Sequence, residues 1–425
     1  MNNTPVPPAP FNLNGLKRRD FLAVSTKSAI SLALLGSLAA TRAASPQQLS
    51  WYMWSNTDAE GTVWKEIIAL VQKQDPDLNI NLVTAGWNDY WTKLTMQAAS
   101  NGLQDLISIQ SQRTPQFAPA FQALDPLVKS QHFDLTAFDP TILQALTSEG
   151  ALRALPYDLG PHVIFYNKDL FKRDNVAEPG LDWTYDEFLA AAKKLTHGNQ
   201  YGFAAFPYPD FCFPFILSNG ATYLKGDDEI DIVNSGFVKA FDTYAGLVHK
   251  EHVAPPLPSS QDAGTPLQMW TAGNAAMFVT GPWDVVNVKS SIKFDFGLAT
   301  IPKGSKGSLT LVAGSGFGIS SSAKDPNLAF KALTTLTGAE AEEHLATTGR
   351  AFPARKAQQA AWYKNAPTGC EEVLTHTLNG GVVPFKTTAN WQQMNLLMVQ
   401  YGIPVLNGQK PADQALKEIQ DQLSA

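Results

Sequence analysis

Three short polar stretches, each placed directly after an apolar run, carry the side chains with the most chemistry to offer. "SNTDAE" presents Asn56 and Asp58, "TAGWNDY" presents Trp87 and Tyr90, and "QSQRT" presents Gln110, Gln112 and Arg113. A fourth stretch, "TAGNAAMFVTGPWDVV", closes an apolar run with Gly281-Pro282 and one large ring, Trp283. Flat aromatic faces stack on the C–H face of a sugar. Carboxylate, amide and guanidinium groups bond its paired hydroxyls two at a time. Trp283 also has a plain structural reading, in which the ring only caps a core.

Other patterns point towards catalysis or metals and fall short. "AGSGFG" (313–318) has Ala313 where a nucleophile elbow needs glycine, and it misses the glycine spacing of a dinucleotide loop. It is expected to be a flexible hinge and a place of close backbone approach. "HKEH" sets His249 and His252 three apart, a spacing that a helix surface also produces. "GDDEID" (226–231) lacks the spaced ligands of a calcium loop. No pair of carboxylates stands out as flanking a glycosidic bond. The reading is therefore a binding protein and not an enzyme, with no cofactor and no metal.

The elements that must position these residues alternate. "QLSWYMW" (48–54), "NINLV" (79–83) and "DLISI" (105–109) read as strands, and "TVWKEIIALVQKQ" (62–74) and "NDYWTKLTMQAAS" (88–100) as the helices between them. Strand-helix-strand repeats imply right-handed crossovers and a mostly parallel sheet, with a ligand crevice outside the carboxyl ends of the strands. The polar stretches stand at those ends. Further on, Thr184 with Glu187 forms a capping box, Asp325-Pro326 opens a helix, and "PADQALKEIQDQL" is an amphipathic helix.

Length and charge bound the rest. At 425 residues the chain exceeds one ordinary core and calls for two lobes. Lys17, Arg18 and Arg19 precede a 12-residue apolar run, Ala29–Ala40, too short to span a bilayer. This reads as a twin-arginine export signal over residues 1–43, cut after Ala43, with no cysteine for a lipid anchor. The segment holds five basic residues and one acid, so the 32 basic and 38 acidic residues of the whole chain become 27 and 37, a net −10. Such a surface repels nucleic acid and anionic membrane. The expected location is the periplasm, in soluble form. Cys212 and Cys370 give no spacing code, and their pairing stays open.

Several of these stretches, taken in order, resemble the extracellular solute-binding proteins of ATP-driven importers, in the cluster that includes the maltose-binding protein. The resemblance rests on "LPYDLGPHVIFYNKDLFKRDNV" (155–176), "DWTYDEFLAAAKKLT" (182–196), "WTAGNAAMFVTGPWD" (270–284), "FGLATIPKGSKGSLTLVAGSGFGIS", "GRAFPARKA" and "GQKPADQALKEIQDQL". It covers nearly all of residues 46–423.

What the resemblance implies is a two-lobed α/β fold, each lobe a mostly parallel sheet flanked by helices, joined at a hinge. Residues 44–155 and 316–353 would form the N-terminal lobe, and 156–315 and 354–425 the C-terminal lobe. The crossings would fall near Pro156–His162 and Leu311–Phe317. The implied function is capture of a mono- to oligosaccharide by a monomer and its delivery to the transmembrane subunits of an ABC importer. The alternatives are a glycerol 3-phosphate, polyol or other small-solute binder, or an exported glycoside-acting enzyme. The family's first-loop contact matches Asn56 and Asp58, and its polar residues after the third strand match Gln112 and Arg113. Tyr208 carries over from a Glu-Pro-Tyr, with Phe206 in place of the acid. Trp283 matches the stacking tryptophan, and Trp391 a tryptophan ahead of the last helices at a different spacing. Trp87, Tyr90, Tyr157, Gly316 and Phe317 complete the expected ligand-binding set.

Replacing both arginines, Arg18→Lys with Arg19→Lys, is expected to leave an uncleaved precursor in the cytoplasm. Cell fractionation with detection of the chain checks it, and normal periplasmic levels of the double variant would refute the twin-arginine reading.

Overall fold

The computed structural model describes residues 47–424 apart from 227–228, 259–263 and 365. The export-signal reading of residues 1–43 lies outside the described residues. The first strand, β1 (Gln47–Trp54), leads into helix α1 (Asp58–Gln74). That helix begins four residues before the expected start. Thr57 caps it by accepting from the Glu60 amide, and Asp58 and Glu60 place negative charge in the first turn. Strand β2 (Leu78–Ala85), helix α2 (Trp87–Ala99) and strand β3 (Leu106–Gln110) follow. β1 lies between β2 and β3, parallel to both. All three strands therefore end on one edge, and the polar stretches that follow them converge there.

The chain then changes direction. Strand β4 (Leu155–Pro161) runs almost directly into β5 (Val163–Asn167), and a second group comprises β6 (Met277–Thr280), helix α3 (Val285–Ser291) and β7 (Phe296–Ala299). Strand β8 (Thr310–Ile319) and the short β9 (Val382–Pro384) complete the sheets. β8 is the connector. It pairs antiparallel with β3 through Ser315–Ile319, antiparallel with β4 through Val312–Phe317, and parallel with β9 through Thr310–Val312.

The two-lobed α/β class is the one the structure has, with a difference in the second sheet. There β5 is the middle strand, and both β6 and β7 run antiparallel to it. The geometry of the crossing explains this. β5 begins where the chain arrives from the first sheet, whereas β6 ends at that level, since Thr280 pairs with Val163. A strand that starts there and one that finishes there must be antiparallel. The mostly parallel pattern expected for both lobes therefore holds for β1, β2 and β3 and for the β8–β9 pair, but not for β5, β6 and β7.

Apolar packing forms two clusters. The larger contains both faces of β1 and continues onto one face of the second sheet through Phe165, Phe278, Phe296 and Trp270. The smaller lies on the opposite face, with Ile164, Tyr166, Met277 and Val279. This alternation by twos buries β5 and β6 on both sides, which is why their sequences read as continuous apolar runs. β8 joins the clusters, Leu311 and Ala313 in the smaller and Phe317 and Ile319 in the larger. In the C-terminal segment, Ala354, Trp362 and Cys370 join the larger cluster, and Phe385, Trp391 and Met398 the smaller. Cys212 and Cys370 are both free thiols, buried in different clusters. Among the described residues no helix is long and apolar enough to cross a membrane.

The "AGSGFG" stretch is not a flexible loop. It lies inside β8, and all ten residues of the strand are buried. Its glycines serve packing: a Cβ at Gly316 would come within 2.9 Å of the Leu155 carbonyl, Leu146 and Ala154. One on Gly318 would overlap Phe121. The expectation of backbone approach to a cavity fits the other end, where Ala313, Gly314 and Ser315 line one.

Candidate functional site

A cavity of about 570 Å³ opens where the ends of β1, β2, β3 and β6 meet. One wall comes from the first sheet, with Trp54, Asn56, Glu60, Trp87 and Gln110. The facing wall has Tyr208, Asp210, Thr280, Trp283, Asp284 and Asn287. The floor is Tyr157 and Asp158 from β4, Ala313–Ser315 from β8, and Arg350.

Trp283 is positioned by its own neighbours. Gly281 and Pro282 lead from β6 into a single tight turn, and the ring folds back over Gly281. Any Cβ on Gly281 would overlap the ring atoms Cη2 and Cζ3. Gly160 faces the same ring and Pro282, where a Cβ would come within 3.3 Å of both. His162 meets the ring edge-on at 5.2 Å between centroids. Trp283 stays half-buried and keeps part of its surface on the cavity. The Gly-Pro-Trp sequence thus makes a fixed ring with an open side.

The expected site residues divide into three groups. Asn56, Trp87, Tyr157, Tyr208 and Trp283 line the cavity. Asn56 also accepts from the Trp87 amide at 2.9 Å, tying the loop after β1 to the start of α2. Gln112 and Arg113 are buried behind the wall and act across it. The Gln112 amide donates to Asp210 at 3.1 Å, and Arg113 donates to the Tyr208 hydroxyl at 3.0 Å. Arg113 also stacks over Trp91 at 4.2 Å and bonds Gln110 and Gln392. The remaining five stand away from the cavity wall. Asp58 is exposed on the first turn of α1. Tyr90 is fully buried, stacked on Tyr52 at 4.3 Å and donating to the Ser108 carbonyl. Phe317 stacks on Tyr157 at 4.5 Å inside the core, beside Gly316, and Trp391 is fully buried in the smaller cluster. His249 turns its Nδ1 to the backbone carbonyls of Ala245 and Leu406.

The structure adds residues the sequence reading passed over: Glu60, Asp158, Asp210, Asp284, Asn287 and Arg350. Several were in view, since Asp158 and Arg350 sit inside quoted stretches and Asp284 directly follows Trp283. Asn287 bridges the walls. It accepts from Thr57 at 2.8 Å and donates to Glu60 at 3.1 Å and Asp284 at 3.0 Å. Arg350 lies 3.8 Å from Glu60 and over the Trp64 ring at 4.6 Å.

Burial pushes the Asp158 carboxyl up to about 7, against the pull of Arg350 and of Ser315. Burial also raises Asp284, and the nearby Glu60 carboxylate adds to the shift. Three buried polar atoms on lining residues make no hydrogen bond within the protein: Tyr157 Oη, Asp158 Oδ1 and Arg350 Nε, the last ion-paired with Glu60 at 3.8 Å. An unpartnered buried polar atom costs about 1–3 kcal/mol. Three around one cavity mark a place that a polar guest would complete.

The model of the bacterial extracellular solute-binding protein family matches residues 54–343. Among curated relatives, the lactose-binding protein of Rhizobium radiobacter is 24% identical over 272 residues, 62% of this chain and 63% of that protein. The galactooligosaccharide-binding protein of Bacillus subtilis is 23% identical over 285 residues, 61% and 64% of the two chains. The chain spans about three-fifths of the length of the curated relatives it matches. Among solved structures, an ABC substrate-binding protein from Listeria monocytogenes in complex with cycloalternan superposes with a TM-score of 0.82 at 24% identity, covering 89% of this chain and 98% of that one. Maltose-bound MalE3 of T. maritima gives 0.75 at 20% identity, with 89% and 99% covered. At these identities the structures speak for the fold.

Gly281→Ala is expected to drive the Trp283 ring out of its seat while leaving both cores intact. The loss should be about tenfold or more in affinity, about 1.4 kcal/mol, for whichever small solute stabilises the parent protein. Titration calorimetry beside a melting curve checks it, and unchanged affinity would show that the ring's placement is immaterial.

Proposed function

The chain belongs to the bacterial extracellular solute-binding proteins, and from that premise we propose that it captures a carbohydrate in the periplasm and hands it to the transmembrane subunits of an ABC-type importer. It would reach the periplasm through the twin-arginine signal of residues 1–43 and act there as a monomer. No bond is made or broken in this reading. The lobes take the composition expected above, with β8 and the β4–β5 passage as the crossings.

The observation that carries the proposal is the cavity, in which one wall supplies Trp87 and Asn56 and the other Trp283 and Asp284. A ligand that stacks between such walls binds fully only when they approach, so its binding energy favours the closed arrangement. Four direct hydrogen bonds already join the walls: Gln112 to Asp210, Arg113 to Tyr208, and Asn287 to both Thr57 and Glu60. Relatives named for lactose and galactooligosaccharide agree with a sugar guest. The cavity argues against glycerol 3-phosphate, because its lining holds five carboxylates and one guanidinium among the described residues. A phosphate would meet net repulsion there.

A thermal-shift screen over sugars and polyols finds the ligand, since a guest of the native state alone raises the melting temperature. Trp283→Ala then decides the ring's role. Stacking predicts a folded protein whose sugar affinity falls by about 2 kcal/mol or more, roughly 30-fold. A protein that loses about 3–5 kcal/mol of stability, the range for emptying a core aromatic site, with unaltered affinity when folded, would return Trp283 to the core.

A further inference from the structure

The five carboxylates of the cavity lining are not equally compensated. Glu60 faces Arg350 at 3.8 Å and receives the Asn287 amide. Asp210 receives Gln112 at 3.1 Å and meets His162 Nε2 at 3.2 Å, while Nδ1 of that ring is turned to the Leu311 carbonyl. Asp89, on the outer rim, pairs with Lys93 at 3.4 Å. That leaves two. Among the described residues the Asp284 side chain takes its hydrogen bonds from the neutral Thr280 hydroxyl and Asn287 amide. Asp158, 5% exposed, bonds Ser315 but keeps Oδ1 without a hydrogen bond. Around Asp158 stand Arg350, Tyr157, Glu342 and Ser315, of which Arg350 is the cation, and that guanidinium is shared with Glu60 and Asp284. No lysine lines the cavity among the described residues.

Two carboxylates that share a single guanidinium, in a cavity walled by Trp54, Trp87 and Trp283, match one kind of guest. An ammonium is attracted both by carboxylates and by the faces of aromatic rings, and the rings still stack on a pyranose. We infer that the carbohydrate taken by this site carries a protonated amine, an amino sugar whose ammonium is held against Asp158 and Asp284. The inference rests on the carbohydrate reading above and narrows it.

Protonation follows from the same arrangement. With its carboxyl at about 7, Asp158 is partly protonated at neutral pH. An arriving ammonium favours the carboxylate, so binding below that pH releases a proton and weakens as the pH falls.

Calorimetric titration with matched sugars tests this: glucosamine, galactosamine and the β-1,4-linked glucosamine disaccharide against glucose, galactose and cellobiose, with the N-acetylated forms as uncharged controls. At pH 7.5 at least one amine form should bind tenfold or more tightly than both its hydroxyl and its N-acetyl counterpart. At pH 6.5, buffers of different ionisation enthalpy should report proton release. Asp158→Asn should weaken the amine forms at least tenfold more than it weakens the uncharged sugars, and Asp284→Asn should also narrow the preference, which keeps the test open if one variant folds poorly. Equal or tighter binding of the uncharged forms would overturn the inference and leave the carbohydrate reading standing. Equal weakening of charged and uncharged sugars by Asp158→Asn would also overturn it, making the carboxylate a plain hydroxyl acceptor. Stabilisation by none of the sugars would remove the carbohydrate reading and the inference together.

Discussion

The structure depends on one strand. β8 is buried along its whole length, bonds β3 on one side and β4 on the other, and places Leu311 and Phe317 in different apolar clusters. It is at once a central sheet strand and a link between the two apolar clusters. Glycines at alternate positions let β4 and the helix ending at Ala145 approach its backbone, and a Cβ on Gly314 would overlap Ile142 and the Asp158 carbonyl. The same close packing brings Asp158 and Ser315 side by side at the cavity floor. A looser crossing would leave no fixed floor for a guest.

The site then pairs rigid apolar pieces with strained polar ones. Trp283 is held by the room that two glycines leave, so its orientation is set before any guest arrives, and little ordering entropy remains to be lost. Asp158 and Asp284 work in the opposite sense. Their burial destabilises the ionised forms, and a suitable ligand relieves that cost on entry. Between pH about 4 and 7 the folded state retains a proton on Asp158 that the unfolded state releases, so this carboxyl favours the fold most on the acid side and the contribution is lost as the pH rises. Such a residue is a liability for the empty fold and an asset for recognition.

Much of this was legible in the sequence. The alternating first lobe, the caps at Thr184 and Asp325 and the strand ending in Gly-Pro-Trp follow from period and turn chemistry, and the structure has each of them. Other features resist local reading. Tyr90 and Trp391 are aromatic residues near expected site positions, but their burial is decided by which elements pack over them. Gln112 and Arg113 stand behind the wall because the strand-end turn directs them across to Asp210 and Tyr208, nearly a hundred residues away. The antiparallel second sheet follows from the direction in which β5 enters it. Asp158 and Arg350 meet only after long stretches of intervening chain, and a single sequence gives no sign of that meeting.

Closure of two walls on a guest is the central claim, and solution scattering measures it most directly. Small-angle X-ray curves of the protein, alone and saturated with a sugar shown by calorimetry to bind, should differ, with a smaller radius of gyration in the bound state. Identical curves at confirmed saturation would contradict it, and would mean that the guest enters a cavity whose walls do not move.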